Sequence, residues 1–350
     1  MTRQHLEPLV DPVALARLLD ERLPGSGVGE PLEVGRHRAG HSNETFFVRR
    51  GDERWVLRRP PRGAFLPTAH DVVREHRVLS ALADTPVRAP RTVLLCEDPS
   101  VIGAPFYLME RVDGFVVRET LPEALGEDLE GRRRTGEELV DALAELHAVD
   151  WRAVGLEGFG KPDGYLERQL RRWTGQLGLT EPLTRPVPEL HAAADWLSAN
   201  LPPGGKPTIV HGDYKLDNVL LSPGPLRLTA ILDWEMSTIG DPLADLGWML
   251  SFWRDATDPT DDDLLELPAP TRAPGFSSRA ELTERYEART GRPVGDLTFY
   301  VVLAVWKLAI LLEGSYARHL AGATDDPFFA RMQEGVPALA RRALRLASGS

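Results

Sequence analysis

Three short apolar runs, at 209–210, 219–221 and 229–232, interrupt a part of the chain whose hydrophobic pattern is otherwise helical. Runs of this length, bounded by turn residues, predict small strands that present polar loops. The loop after the first run, HGDYKLDN from His211, carries a histidine, two aspartates, a lysine and an asparagine. Any fold of this chain must therefore hold a dense polar cluster on loops between buried strands.

The first third of the chain has the pattern of a small sheet. TFFVRRGDERWVLRRPP from Thr45 predicts a hairpin around Gly51 and Asp52. AHDVVREHRVLSAL predicts a helix, and RTVLLCED and PFYLMERVDG predict two further strands. Asp11 before Pro12 predicts the start of an amphipathic helix. From about Leu129 the pattern becomes helical, so we expect an α+β chain with domains at 1–112 and 113–350.

Composition and charge exclude several classes of protein. The formal net charge of -11 argues against a nucleic-acid partner, since non-specific affinity for nucleic acid rests on clustered Lys and Arg. The single cysteine, Cys96, cannot form an intramolecular disulfide, which fits a cytoplasmic protein without a signal peptide. The most apolar run, from Leu297, is interrupted by Lys307 and followed by Glu313. We therefore expect a core helix there and no membrane span. The oligomeric state stays open.

The loop from His211 matches the chemistry of phosphoryl transfer. That reaction needs a carboxylate near the attacking hydroxyl, oxygen ligands for Mg²⁺ and cations on the phosphates. The kinase template H-R-D-x-x-x-x-N separates the carboxylate from the metal-binding amide by five residues, as Asp213 and Asn218 are separated here. Lys215 follows two residues after the aspartate. A second metal carboxylate, Asp233 in AILDWE, comes directly after an apolar run, which predicts a hairpin between the two loops.

These motifs carry a resemblance to a known family. HGDYKLDN, LDWE and GDPLADLGW are similar to the aminoglycoside phosphotransferase family of small-molecule kinases. GHSNETF, WVLRRPP, YLMERVDG, LHAVDW and VWKLAILLEGSYAR are similar to the subfamily related to the kinase domain fused to certain acyl-CoA dehydrogenases. The resemblance covers nearly the whole chain. It implies a bilobal protein-kinase-like fold, with a small antiparallel-sheet N-terminal lobe and a larger, mainly helical C-terminal lobe.

The resemblance also implies a role for each matching residue. Asp213 would be the catalytic base and Lys215 a cation on the transferred group. Asn218 and Asp233 would be the Mg²⁺ ligands, and Asp245 a structural carboxylate that braces the catalytic loop. The nucleotide would be bound by the loop, strand, helix and hinge of the first lobe, through Gly40, Ser42, Asn43, Arg58, Glu75, Glu110 and Val112.

The chain departs from the kinase pattern in three places. The phosphate-covering loop keeps one glycine, Gly40, so it lacks GxGxxG. Arg58 or Arg59 replaces the strand lysine. Alternation turns only one of them inward, and we prefer Arg58 from its position in the V-x-R match to the family motif. The segment from Asp233 to Asp245 is too short for a regulated docking loop, and Gly212 replaces the arginine that would sense its phosphorylation. These departures favour a constitutively assembled site that acts on a small molecule.

The resulting prediction is a phosphotransferase that uses Mg²⁺ and ATP, or GTP, on a small hydroxylated molecule. The narrower resemblance implies a hydroxyacyl-CoA-like metabolite, and the broader family implies an aminoglycoside. A third alternative is a pseudokinase-like module that binds nucleotide without turnover. Arg168, Arg171 and Arg172 share one helix face. The default interpretation is a solvated face, and the alternative is a patch that recognises an anionic substrate.

Overall fold

The computed structural model describes residues 9–37, 43–61, 71–222, 224, 226–259, 269–324 and 326–349. The chain divides into two compact units. The first unit comprises Met1–Asp113 and Thr229–Glu235, and the second comprises Gly114–Leu228 and Met236–Ser350.

The first unit contains a five-stranded antiparallel sheet and two helices. Along the chain its elements are α1 (Pro12–Arg22), β1 (Leu32–His37), β2 (Glu44–Arg50), β3 (Glu53–Arg59), α2 (Val72–Leu82), β4 (Thr92–Cys96) and β5 (Phe106–Glu110). The order across the sheet is β1-β2-β3-β5-β4. The hairpin around Gly51, the helix after Asp71 and the two later strands confirm the predictions from the pattern. Asp11 caps α1 by accepting the backbone N–H of Val13 at 2.8 Å.

The core of the first unit lies between α1 and the sheet. Leu15 and Leu19 of α1 are fully buried together with Trp55 and Leu57 of β3 and Leu108 of β5. The last residues of β3 are buried on both faces of the sheet. Any charged side chain at the end of β3 therefore requires partners inside the protein.

The second unit is mainly helical. Its helices are α3 (Leu129–Ala148), α4 (Tyr165–Thr180), α5 (Pro188–Ala199), α6 (Leu243–Phe252), α7 (Arg279–Thr290), α8 (Thr298–Leu320), α9 (Pro327–Ala330) and α10 (Met332–Ser348). The short strands are β6 (Thr208–Val210), β7 (Val219–Leu221), β8 (Leu228–Ile231), which crosses the division between the units, and β9 (Thr238–Gly240). The three apolar runs are thus strands, as predicted. The motif analysis missed β9, which pairs antiparallel with β6.

Helix α8 is the central helix of the second unit. It packs against α10, α6, α4 and α5, and the indole N–H of its buried Trp306 donates to the Leu190 carbonyl at 2.9 Å. By length and composition alone, α8 is the one helix in the described ranges that could cross a membrane. In this structure 61% of its most apolar window is buried inside the protein, as expected for a core helix.

Two substitutions on α8 test this packing. Ile310 is fully buried in the core of the second unit, whereas Leu320 near the end of the same helix is 54% exposed. Ile310→Ala is expected to lower the free energy of unfolding by about 2–5 kcal/mol, because it leaves a cavity among fixed neighbours. Leu320→Ala is expected to change it by less than about 0.5 kcal/mol. Urea unfolding followed by circular dichroism measures both, and equal effects would contradict the packing described.

Candidate functional site

The loop between β6 and β7 holds Asp213 by both of its carboxylate oxygens. Oδ1 accepts the indole N–H of Trp248 at 2.8 Å, and Oδ2 accepts the amide Nδ2 of Asn218 at 2.7 Å. The Lys215 ammonium lies 3.5 Å from Oδ1. The structure therefore brings together Asp213, Lys215 and Asn218, which the spacing of the sequence associates.

The amide of Asn218 is oriented by its own loop. Nδ2 donates to the backbone carbonyl of Asp213 at 2.8 Å as well as to the carboxylate of that residue. With both N–H groups engaged, the amide oxygen Oδ1 is the atom of this side chain that is available to a cation. Amide oxygens are among the hard ligands that Mg²⁺ accepts.

A buried carboxylate supports the same loop from α6. Asp245 accepts the backbone N–H groups of His211 at 2.6 Å and Gly212 at 2.8 Å. Burial alone would raise the pKa of Asp245, but these donors and the ring of His147 lower it below its ordinary value. Asp245 thus makes the contacts of the structural carboxylate that the family resemblance implies.

His147 connects this carboxylate to α7. Its Nε2 lies 3.3 Å from Asp245 Oδ2, and its Nδ1 lies 2.7 Å from the hydroxyl oxygen of Tyr286. Both ring nitrogens are thus engaged in hydrogen bonds. His211 is fully buried as well, and its Nδ1 accepts the backbone N–H of Asp213 at 3.3 Å. Both histidines therefore make hydrogen bonds that support the loop.

Gly212 has a local reason to be glycine. Its φ of +85° lies in the left-handed region, where side chains are strained. A Cβ at this position would also lie 2.6 Å from the carbonyl oxygen of Met236. The local backbone therefore excludes the arginine that the kinase template carries here.

Two residues of the second unit contact the loop without having been predicted to do so. Trp248 is the donor to Asp213 described above, and the Lys307 ammonium donates to the Gly212 carbonyl at 2.7 Å. Both lie in motifs that carry the resemblance. The sequence offers one signal of such a contact: Lys307 is an isolated charge within an apolar helix.

In the first unit, Arg58 is surrounded by three carboxylates. Its Nη2 lies 3.1 Å from Glu75, 2.9 Å from Asp233 and 4.0 Å from Glu235. Glu75 of α2 therefore forms an ion pair with a cation of β3, and that cation is Arg58. The guanidinium of Arg59 instead donates to backbone carbonyls, including that of Ile102 at 2.9 Å.

Charge in this cluster is unbalanced, because one guanidinium faces three acidic side chains. Burial raises the pKa of Glu75, and the nearby Asp233 adds to that effect while Arg58 opposes it. Burial would lower the pKa of Arg58, but the carboxylates around it raise the pKa above its ordinary value. Among the described residues, this cluster therefore places three acidic side chains around one guanidinium.

The backbone at Asp233 is unusual. With a φ of 67°, it is the only non-glycine residue with a positive φ in the part of the chain that the structure describes. Such a conformation costs about 1–3 kcal/mol and is found most often at functional sites. One oxygen, Oδ1, accepts from Arg58, which leaves Oδ2 available to a ligand.

The remaining predicted nucleotide residues are placed as follows. Asn43 is buried and donates from Nδ2 to Glu75 at 3.3 Å. Glu110 ends β5, and its carboxylate accepts the backbone N–H of Arg91 at 3.0 Å. Val112 is half-buried, and no described residue accepts a hydrogen bond from its backbone N–H. Gly40 and Ser42 lie outside the described residues.

The described residues contain no group of three or more His, Cys, Asp or Glu side chains that could hold a metal by themselves. Hard oxygen donors are present singly, from Asn218 in the second unit and from Asp233 in the first. Single oxygen donors are compatible with Mg²⁺, which keeps several waters and is commonly completed by substrate phosphates. They do not fit zinc or another metal that requires a full protein cage.

Comparison with known proteins agrees with this chemistry. Residues 33–281 match the model of the phosphotransferase enzyme family. Acyl-CoA dehydrogenase family member 11 of Gallus gallus is 34% identical over 98% of this chain and 44% of its own length. Family member 10 of Mus musculus is 35% identical over 83% of this chain and 27% of its own length. The chain thus spans less than half the length of these curated relatives.

Solved structures confirm the predicted fold class. A candidate aminoglycoside phosphotransferase from Ralstonia eutropha is 32% identical, with a TM-score of 0.81 over 97% of this chain and 98% of its own. An aminoglycoside phosphotransferase in complex with ADP and hygromycin B shares the fold, with 15% identity and a TM-score of 0.62 over 96% of this chain and 100% of its own. The family match, the relatives and the loop geometry lead to one conclusion: the chain belongs to the phosphotransferase enzyme family.

Proposed function

We propose that the chain transfers the γ-phosphoryl group of ATP, or GTP, to a hydroxyl group of a small molecule. The observation that carries the proposal is the fixation of Asp213. Trp248 and Asn218 hold its two oxygens, and the backbone that carries it is held by Asp245. A carboxylate that is held but not fully buried is suited to orient a hydroxyl and accept its proton as the new bond forms.

Cations of the chain would offset the charge of the phosphates. Lys215 lies beside Asp213 on the catalytic loop, where it would contact the transferred group. Arg58 would serve the nucleotide phosphates, as the strand lysine does in kinases, and Glu75 holds it in place. Arginine keeps its charge under all ordinary conditions and binds phosphate through two N–H groups, so it can fill this role.

Magnesium would be held by Asn218 and Asp233 together with phosphate oxygens. When bound, it supplies charge neutralisation on the phosphates and fixes their orientation. Within the described part of the chain, no donor contacts Oδ1 of Asn218 or Oδ2 of Asp233, and three acidic side chains surround Arg58; both observations support this assignment.

The nucleotide is proposed to bind in the first unit. Gly40, Ser42 and Asn43 would cover the phosphates, and the backbone of Glu110 and Val112 would hold the base. The unused backbone N–H of Val112 supports the hinge assignment. Support also comes from a protein of the same fold that binds ADP. Cys96, a buried free thiol, is compatible with a cytoplasmic protein.

The acceptor is the least constrained part of the proposal. The relatives fused to acyl-CoA dehydrogenases favour a hydroxyacyl-CoA-like metabolite, and exposed Arg171 and Arg172 on α4 are compatible with an anionic acceptor. Aminoglycosides are the alternative from the wider family. ADP release with Mg-ATP should be measured across hydroxyacyl-CoAs, aminoglycosides and amino alcohols. Nucleotide binding without ADP release for any acceptor would favour a binding module without turnover.

Removal of the proposed base gives the first functional prediction. Asp213→Ala is expected to lower kcat by about 10²- to 10⁴-fold, because proton transfer loses its acceptor. Nucleotide affinity should stay unchanged. Asp195→Ala, at an exposed aspartate on α5, is the control. Single-turnover assays and nucleotide titrations on the purified variants measure both quantities, and a fully active Asp213→Ala would refute the assignment.

Removal of a proposed metal ligand gives the second functional prediction. Asp233→Ala is expected to raise the Kd of Mg-nucleotide by at least about tenfold, through loss of a metal contact. In EDTA the affinities of the variant and the unsubstituted chain should become similar, because the contribution of the metal is then absent from both. Asp52→Ala, in an exposed turn of the first unit, is the control. Isothermal titration calorimetry measures these affinities, and a difference that persists in EDTA would argue against a metal role.

A further inference from the structure

Lys307 occupies an aromatic cage beneath the catalytic loop. It is the only charged residue between Thr298 and Leu312, within the long apolar helix α8. Its Nζ lies 4.1 Å from the ring centre of Trp248 and 5.7 Å from that of Trp173. Both indoles are buried, so the cation–π attraction acts with little competition from water.

The same ammonium contacts the loop backbone. Nζ donates to the carbonyl of Gly212 at 2.7 Å, and Trp248 donates to Asp213 Oδ1 at 2.8 Å. One cation therefore contacts two of the groups that locate Asp213: the peptide that precedes it and the indole that holds one of its carboxylate oxygens.

The space beside Lys307 contains no room for an acceptor molecule. The cavity lined by Tyr165, Gln169, Trp173, Tyr300, Leu303 and Lys307 measures about 20 Å³, the size of one water. The cage is therefore filled by the lysine itself. A compact ammonium can donate to this single carbonyl, whereas a guanidinium is larger and presents its N–H groups in a fixed planar fork. Only four residues of this chain are lysines, and two of them lie at the catalytic loop.

We propose that Lys307 is a positioning residue of the catalytic loop, whose ammonium fixes the Gly212 carbonyl and the Trp248 indole and through them holds Asp213. The proposal rests on the proposed function for its catalytic consequence. Its structural part, the order of the loop, is independent of any reaction.

The protonation of Lys307 offers a readout within the ordinary pH range. Burial lowers its pKa to about 8, and this effect outweighs the carboxylates nearby. The charged and titratable groups that face it from the loop, α4, α6 and α8 are Asp213, Lys215, Tyr165, Arg172, Asp245 and Tyr300. The ammonium is therefore present below pH 8 and lost above it. A decline in kcat above pH 8 is expected, which Lys307→Met should abolish and Lys307→Arg should move to higher pH.

Activity of the variants tests the catalytic consequence. Lys307→Met keeps an apolar stem and should lower kcat by about 10- to 100-fold through misplacement of Asp213, with the KM for nucleotide nearly unchanged. Lys307→Arg should recover part of the loss. Lys206→Ala, an exposed lysine outside the site, should behave as the unsubstituted chain. The proposal would be overturned if the unsubstituted chain turns over and Lys307→Met is equally active.

Chemical rescue separates positioning from a general loss of folding. Lys307→Ala removes three carbons and the ammonium, a volume that propylammonium matches. Added propylammonium should restore a substantial part of kcat, whereas tert-butylammonium, of equal charge but greater width, should not. The proposed cage would be contradicted if both ions restored kcat equally, or if neither ion restored it although the variant is folded.

Hydrogen exchange decides the structural part even if no acceptor is found. Lys307→Met and Lys307→Ala should speed the exchange of the backbone amides of 211–214, and propylammonium should slow it again in Lys307→Ala. Unchanged exchange in both variants would overturn the proposal. If the unsubstituted chain transfers no phosphoryl group while exchange responds as expected, the proposed function fails and the positioning role stands.

Discussion

The site of the second unit depends on a buried carboxylate, Asp245. Burial of a carboxylate is unfavourable unless hydrogen-bond donors compensate it. Here the backbone N–H groups of His211 and Gly212 and the ring of His147 supply them. Two of these donors belong to the catalytic loop. The hydrogen bonds that buried Asp245 requires therefore also determine where that loop begins. Asp213 and Asn218 follow within the same turn of chain and take their positions from it.

The two units carry different charge arrangements, and each suits one part of phosphoryl transfer. In the first unit, three carboxylates of described residues surround Arg58, the setting proposed for the divalent metal. In the second unit, Lys215 lies 3.5 Å from the carboxylate of Asp213, and Lys307 donates to the carbonyl of Gly212. These positive groups therefore lie close to the carboxylate that we propose accepts the proton.

Much of this architecture could be predicted from local pattern. Helical and strand periods identified the elements around the site, and the spacing of Asp213 and Asn218 identified the loop. The V-x-R match favoured Arg58, and the structure pairs Arg58 with Glu75 while Arg59 bonds to backbone carbonyls. Trp248 and Lys307 were missed because they contact the loop from 35 and 95 positions away along the chain. No local pattern encodes such contacts. The roles assigned to Gly40 and Ser42 stay predictions, since these residues lie outside the described part of the chain.

The central claim is that a phosphoryl group passes from nucleotide to a hydroxyl oxygen, and the identity of the product tests it most directly. The acceptor that most raises ADP release should be incubated with the chain and Mg-ATP and followed by ³¹P NMR. The account predicts a new phosphate-monoester resonance that grows in step with ADP and is absent with Asp213→Ala. Release of inorganic phosphate in place of the ester, or an ester that still forms with Asp213→Ala, would contradict it.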